Sequence, residues 1–546
     1  MLFPKVKELD KTEEFHFSSE ITVGLKRING LDENTVKTVF PVLSPDAVLT
    51  LVCEKSDELK SISDEAYRII SEKTENGLTL TVRAFSDKSL IRGLFTVRRM
   101  IMKNAFLIGE ITDYPSFSVR GYIEGFYGKP WKFEERIHML EFMALYGENT
   151  HYYAPKDDPY HRDKWRELYP EGEALQLKAI LDKAKSLYVD FYYCIAPGLS
   201  MCYSREEDFT ALKNKTQQLF SMGIENFGLL LDDIPADLYY EDDKRKFGNA
   251  AAAHTELVEK YYSYLKSLSP CTRLTVCPTA YHGKGDEEEL CAFAGNIPEE
   301  VDVFFTGSDI CSKEITSAEA EYFYKNNKHK PLYWDNYPVN DAEMFMEMHI
   351  GPIIGRDKNL GKNSAGLISN CMEYFNCNKI PLMTVASYLW NSEEYDPEEA
   401  YAEAVNALIP ENEREAFIHL SDQFRTSCLH DENSRIMGEH LSKAAVTRYS
   451  GDNEEFIKIL ENYTAIISRS AEIYKEKNEP IYKELSRWIK KFLLMSEILE
   501  IALSVVKGEG DKELLREKMS EYNESATVLT AFCFREYIES VLSDEN

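Results

Sequence analysis

Two adjacent aspartates, Asp232 and Asp233, follow three leucines in the stretch GLLLDDIPADL, residues 228–238. One aspartate after an apolar run is accounted for by a helix cap or a solvated turn. Two like charges side by side at the end of a buried segment need a further reason. Other apolar runs close on polar groups of a related kind. Lys156 stands in YAPKDD, Tyr281 in CPTAY, Trp334, Asn336 and Asp341 in WDNYPVND, and Asn370 in LISN, with EGFYGKPW earlier in the chain. Carboxylates, amides, a lysine and a tyrosine beside a tryptophan offer hydrogen bonds to hydroxyls and an aromatic wall, which is the chemistry of a sugar pocket. No Ser or Cys sits in a nucleophile elbow and no His pair has metal-ligand spacing, so the expected chemistry uses neither metal nor cofactor.

The adjacency of the aspartates restricts the mechanism. A retaining glycosidase ordinarily places its acid and nucleophile about 5–5.5 Å apart, on either side of the scissile bond. Neighbouring residues on a strand point to opposite faces, so both enter one pocket only where strand gives way to loop, and then from one side. That placement suits a substrate whose own 2-acetamido group is the nucleophile. One Asp polarises the acetamide N–H and the other protonates the leaving oxygen.

These groups must be held at the ends of strands. From 116 to 394 short apolar runs begin near residues 119, 149, 190, 226, 273, 302, 331 and 366, a mean step of about 35, with amphipathic segments such as FEERIHMLEFMALY between most of them. Eight strand–helix units over that length predict an α/β fold with a (β/α)8 barrel, whose chemistry sits at the C-terminal strand ends. A doubly wound sheet is disfavoured because no Gly-rich phosphate loop follows the first strand. Residues 1–115 predict a small α/β domain: GLTLTVRAF alternates as a half-buried strand, and DKSLIRGLFTVRRMIMK follows with helical spacing. Residues 395–546 predict long amphipathic helices forming a bundle.

The formal charge of −30 argues against nucleic acid, which needs clustered Lys and Arg. The most apolar late stretch, FLLMSEILEIALSVV, is broken by Glu497 and Glu500 and is too short to span a bilayer, so no membrane association is expected. MLFPKVKELDKTEEF lacks the apolar core of a secretory signal, and the eleven cysteines contain no C-x-x-C pair. Both features predict a cytoplasmic protein with reduced thiols.

The motifs GYIEGFYGKPW, YAPKDD, LLLDDI, CPTAY, WDNYPVND and LISN, in that order over about 250 residues, closely resemble the family-84 glycoside hydrolases, the O-GlcNAcases and bacterial β-N-acetylglucosaminidases. The resemblance covers the barrel and extends to an N-terminal domain like that preceding family-20 hexosaminidases. It implies that Asp232 polarises the acetamido nitrogen and that Asp233 is general acid and then base. It further implies that Tyr281 hydrogen-bonds the acetamido oxygen, that Trp334 walls the acetamido pocket, and that Cys277 touches the acetyl methyl. Gly125 (through its carbonyl), Lys156, Asp341 and Asn370 would hold the sugar hydroxyls, and Asn336 would assist at the acetamide. The long insert and acetyltransferase-like end of metazoan members do not occur in this sequence, which points to a bacterial-type enzyme acting on a GlcNAc-bearing glycoconjugate or glycoprotein. An endo-acting hyaluronidase-type hydrolase and a non-catalytic GlcNAc-binding protein are the alternatives. The chitinase pattern D-x-x-D-x-D-x-E does not occur, and the second pair, Asp157 and Asp158, reads as loop and cap residues.

Overall fold

A computed structural model describes residues 2–75, 77–425, 427–430, 434–529 and 532–543. By the density of internal packing it divides into two units. The first comprises 1–336, 355–371 and 385–396, and the second 337–354, 372–384 and 397–546.

The first unit begins with a six-stranded mixed sheet: β1 (Glu8–Phe15), β2 (Val23–Asn29), β3 (Leu49–Lys55), β4 (Tyr67–Thr74), β5 (Gly77–Ala84) and β6 (Phe106–Asp113), in the order β1-β6-β4-β5-β3-β2. The period-2 pattern sends Leu78, Leu80 and Val82 of β5 and Leu49, Leu51 and Cys53 of β3 to a buried face. The helix Asp87–Lys103 packs against β4 and β5 with Leu90, Leu94, Val97 and Met100 buried. It starts in a Ser86–Ser89 capping box and ends at Asn104 in the left-handed region.

The barrel follows in the same unit. Its strands are β7 (Val119–Ile123), β8 (Thr150–Tyr153), β9 (Asp190–Ile195), β10 (Asn226–Leu230), β11 (Arg273–Cys277), β12 (Asp302–Phe305), β13 (Pro331–Asp335) and β14 (Gly366–Asn370). All neighbouring pairs are parallel, and β14 closes onto β7. Each of the eight predicted runs contains one of these strands, and helices including Phe133–Leu145, Glu171–Ser186, Glu206–Ser221 and Ala250–Leu268 lie between them in sequence. The barrel interior is filled by Ile123, Tyr152, Tyr192, Leu230, Phe304, Leu332 and Ile368. Gly121 is required for closure, because a Cβ there would lie 1.8 Å from the Thr150 carbonyl oxygen of the next strand.

The run of three leucines overshoots its strand. β10 ends at Leu230, because pairing to β9 stops at Leu229 opposite Ile195. Leu231 stays buried and tied to the β11 side: its N–H donates to the Cys277 carbonyl at 2.9 Å, and its own carbonyl accepts from Thr279 Oγ1 at 2.9 Å.

The second unit is helical apart from its connecting segments. Its longest helices, Asn453–Tyr474 and Ser486–Val506, pack on each other with Ile459, Tyr463 and Ile467 buried on one and Phe492, Met495 and Leu499 on the other. Three domains with boundaries at 115/116 and 394/395 are what the sequence predicts. In the structure the N-terminal sheet and the barrel share one unit, and 337–354 and 372–384 group with the helices. Among the described residues, no helix is long and apolar enough to cross a membrane.

Candidate active site

Asp232 and Asp233 leave the C-terminal end of β10, where the backbone turns sharply. Asp233 adopts φ +49°, a left-handed conformation that side-chain-bearing residues rarely take. The turn replaces strict strand alternation and lets consecutive carboxylates find different partners. Asp232 is largely enclosed and brings Oδ2 within 3.9 Å of Lys156 Nζ. Asp233 accepts at both oxygens: Tyr281 Oη donates to Oδ1 at 3.2 Å and Tyr127 Oη to Oδ2 at 3.2 Å. Lys156 also stands 5.0 Å above the centre of the Tyr127 ring, and Arg162 Nη1 donates to Tyr127 Oη at 3.0 Å. Burial, and then the Asp233 carboxylate, pushes the Tyr281 phenol pKa upward, which keeps it a donor. Burial, reinforced by Asp232 and Asp233, likewise raises the Cys277 thiol well above its ordinary value, so it stands as a small neutral wall residue.

A second set of groups converges from β13, β14 and β7. Trp334 Nε1 and Asn370 Nδ2 both donate to Asn336 Oδ1 at 3.0 Å, and Asn336 Nδ2 donates to the Ile310 carbonyl at 2.8 Å. Asn336 therefore fixes an indole and an amide at once. Asn370 Oδ1 is buried with no hydrogen-bond partner among the described residues, an acceptor that a ligand hydroxyl would satisfy. Gly125, two residues past β7, brings bare backbone to this wall: a Cβ would lie 2.7 Å from Trp334 Cζ2 and 3.1 Å from Asn370 Oδ1. Cys277 and Trp334 belong to the barrel's interior cluster and Tyr281 packs against it, so both sets of groups rest on one core.

The loops bearing these residues are braced by buried charge. Glu124 Oε2 and Oε1 accept from Arg136 Nε and Nη2, both at 2.7 Å, and Arg136 Nη2 also lies 3.8 Å from Asp157. Asp158 accepts from the Tyr160 backbone N–H at 2.8 Å, as a loop cap does, and also from the Tyr153 hydroxyl at 3.0 Å and the Tyr169 hydroxyl. These phenols anchor the loop that carries Lys156.

The structure thus gathers Asp232, Asp233, Lys156, Tyr281 and Cys277, and on the same core Gly125, Trp334, Asn336 and Asn370. Asp341 falls in the second unit, just before the short 3-10 turn Ala342–Met344. Two participants escaped sequence reasoning. Tyr127 lies inside EGFYGKPW but nothing singles out its phenol, and Arg162 sits six residues beyond Lys156 among ordinary loop charges. Among the described residues, no cluster of three or more His, Cys, Asp or Glu is placed to hold a metal ion.

Residues 120–422, more than half of the chain, match the model of the β-N-acetylglucosaminidase family. The protein O-GlcNAcases of Rattus norvegicus and Mus musculus are each 33% identical over 274 residues, covering 49% of this chain and 29% of their own length. The chain therefore spans less than a third of these curated relatives. Among solved structures, a mutant O-GlcNAc hydrolase of Thermobaculum terrenum is 31% identical with a TM-score of 0.75, covering 78% of this chain and 95% of that one. CpGH84B, 23% identical, superposes with a TM-score of 0.85 over 99% of this chain and 100% of its own, which shows a shared fold. With its closed barrel and paired aspartates at the end of β10, the chain belongs to the β-N-acetylglucosaminidases, family 84 of the glycoside hydrolases.

Proposed function

We propose that this chain is a retaining exo-β-N-acetylglucosaminidase that releases terminal β-linked GlcNAc, including GlcNAc O-linked to protein, by substrate-assisted catalysis. The observation that carries the reading is the separation of partners within the aspartate pair. Asp232 faces the Lys156 ammonium, while Asp233 is held by two phenolic hydroxyls. Two carboxylates on one side of a sugar cannot act as acid and opposed nucleophile, but they can serve a substrate that brings its own nucleophile.

In the first step the acetamido carbonyl oxygen attacks C1 while Asp232 accepts a hydrogen bond from the acetamide N–H. Protonated Asp233 gives its proton to the departing glycosidic oxygen, leaving an oxazolinium ion whose N–H stays hydrogen-bonded to the Asp232 carboxylate. In the second step Asp233 takes a proton from water as that water attacks C1 and the oxazolinium ring opens to the acetamide, so two inversions give net retention. Tyr281 donates to the acetamido oxygen, Cys277 packs against the acetyl methyl, and Trp334 walls that pocket. Lys156, the Gly125 carbonyl and the open acceptor of Asn370 take sugar hydroxyls, and Asn336 assists at the acetamide by holding Trp334 and Asn370 in place. The named relatives, a protein O-GlcNAcase and an O-GlcNAc hydrolase, support protein-linked GlcNAc as the substrate class.

The test is hydrolysis of an aryl β-GlcNAc beside the matching β-glucoside, which lacks the nucleophile. Cleavage of only the former is expected, and equal rates would end the substrate-assisted reading. Asp233→Asn should hurt poor leaving groups far more than activated ones, whereas Asp232→Asn should hurt both. A uniform loss in the Asp233 variant would contradict its assignment as the acid.

A further inference from the structure

Tyr127 joins Asp233 to a cation that the mechanism above does not use. Arg162 Nη1 donates to Tyr127 Oη at 3.0 Å, and Tyr127 Oη lies 3.2 Å from Asp233 Oδ2. A guanidinium has donors and no acceptor, and a phenol has one hydrogen. With one lone pair of Tyr127 engaged by Arg162, that hydrogen is directed onto Asp233. We propose that Arg162 is a positioning residue that acts through Tyr127 to hold Asp233 Oδ2 as an acceptor, so that the catalytic proton resides on Oδ1.

The consequence follows from the two tyrosines. Oδ1 accepts from Tyr281 in the ligand-free site, and Tyr281 is the residue that turns to the acetamido oxygen in the proposed reaction. Substrate binding then frees Oδ1 to carry the proton, while Tyr127 blocks Oδ2. Without Arg162 the Tyr127 hydroxyl rotates and accepts as readily as it donates, and the proton divides between the two oxygens. The other titratable groups facing Asp233 are Asp232, Lys156, Tyr281 and Cys277, and none of them contacts Oδ2 among the described hydrogen bonds. Arg162 is half-buried beside the pocket and contacts Asp233 only through Tyr127 among those bonds.

The inference rests on Asp233 being the acid, and the experiment separates the two claims. The pH profile of kcat/KM is measured on aryl β-GlcNAc substrates with good and poor leaving groups for the unmodified chain, Arg162→Met, Arg162→Lys, Tyr127→Phe and the Arg162→Met/Tyr127→Phe double variant. Removing either member of the relay favours the protonated carboxyl, so the alkaline limb should move up by roughly half to one pH unit. The poor-leaving-group rate should fall roughly tenfold and the activated rate by less than about threefold, the scale of a misdirected general acid. The double variant should go no further than the single ones, and Arg162→Lys should recover part of the limb position. Unmoved limbs with equal losses on both substrates, a change in KM alone, or losses that multiply in the double variant would each overturn the role of Arg162. Asp233→Asn serves as the control. If the alkaline limb persists in it, the acid assignment itself falls; if the limb vanishes there but ignores Arg162 and Tyr127, only the relay falls.

Discussion

Adding one methyl group at Gly125 tests whether the Trp334 wall governs the reaction. The Cβ of Gly125→Ala would lie 2.7 Å from Trp334 Cζ2 and 3.2 Å from Cη2, where ordinary contact begins at 3.4 Å. The indole must therefore retreat by about 0.7 Å, the difference between 3.4 and 2.7 Å. It has little freedom to do so. Its Nε1 is bonded to Asn336 at 3.0 Å, Phe304 stands edge-on at 5.2 Å, and only 6% of Trp334 is exposed. Overpacking of this kind costs about 1–3 kcal/mol, tolerable for the fold. Because Asn336 also fixes Asn370, the shift spreads to the open acceptor. A misplacement approaching 1 Å at a reacting centre costs up to roughly 10²-fold, so kcat/KM on an aryl β-GlcNAc should fall about 10- to 100-fold with unchanged circular dichroism. Trp334→Phe removes the two clashing indole atoms but leaves Asn370 Oδ1 at 3.1 Å, so Gly125→Ala should cost less in that background than it does alone. Full activity in Gly125→Ala, or losses that multiply in the double variant, would show that the wall does not act as argued.

Two further outcomes concern stability. Glu148 is fully buried with neither carboxylate oxygen partnered among the described residues, and burial raises its pKa well above the ordinary 4.5, opposed only by Arg120. The folded state therefore holds a proton that the unfolded state releases, so this contribution is complete below the unfolded pKa and is lost as pH rises toward the folded one. Glu148→Gln removes the dependence. Its thermal-unfolding advantage over the unmodified chain should widen above pH 4.5 by ~1.4 kcal/mol per pH unit until the folded pKa is reached, and parallel profiles would refute this. Asp233→Gly and Asp233→Ala lose the same two tyrosine hydrogen bonds, so their difference isolates the backbone at φ +49°. The glycine variant should be the more stable by roughly 0.5–1 kcal/mol in thermal unfolding, and equal midpoints would mean that the turn holds no strain.

The barrel was readable because parallel strands covered on both faces appear as unbroken apolar runs, and eight such runs leave few alternatives. The strand ends were readable because polar groups can enter the interior only there. What escaped was set by backbone geometry or by distance in sequence. Leu231 is as apolar as Leu230, yet the pairing to β9 has already stopped, so composition cannot mark the end of β10. Tyr127 lies 106 residues from Asp233 and looks like any other among 33 tyrosines, whereas Tyr281, 48 residues away, is marked by its place at a strand end in CPTAY. Asp158 looks like a loop cap and is one, but the phenols of Tyr153 and Tyr169 reach it only once β8 and the following loop have folded together. The grouping of 337–354 and 372–384 with the helical unit was equally hidden, since those residues flank β13 and β14 in sequence and carry no compositional break.

The repulsion within the aspartate pair is met by the way the turn distributes its partners. In a regular strand Asp233 would point away from the pocket that Asp232 enters. The left-handed residue at this position returns its carboxylate to the same end of the barrel at a cost of about 1–2 kcal/mol. Lys156 then lies beside Asp232, while Arg162 stands behind Asp233 with Tyr127 between, so two cations face two carboxylates without either pair closing into a short contact. Lys156 Nζ at 3.9 Å lies beside the Asp232 carboxylate but beyond hydrogen-bond distance, so it does not saturate that oxygen as an acceptor. Asp233 touches only neutral hydroxyls among its described hydrogen bonds; Tyr127 is held on Oδ2 by Arg162, and Tyr281 is the one that turns away from Oδ1. One carboxylate is thus set beside a cation and its neighbour beside two hydroxyls. That asymmetry fits the division of labour proposed for two residues on one side of a sugar, and it comes from one backbone dihedral together with groups drawn from three separate loops.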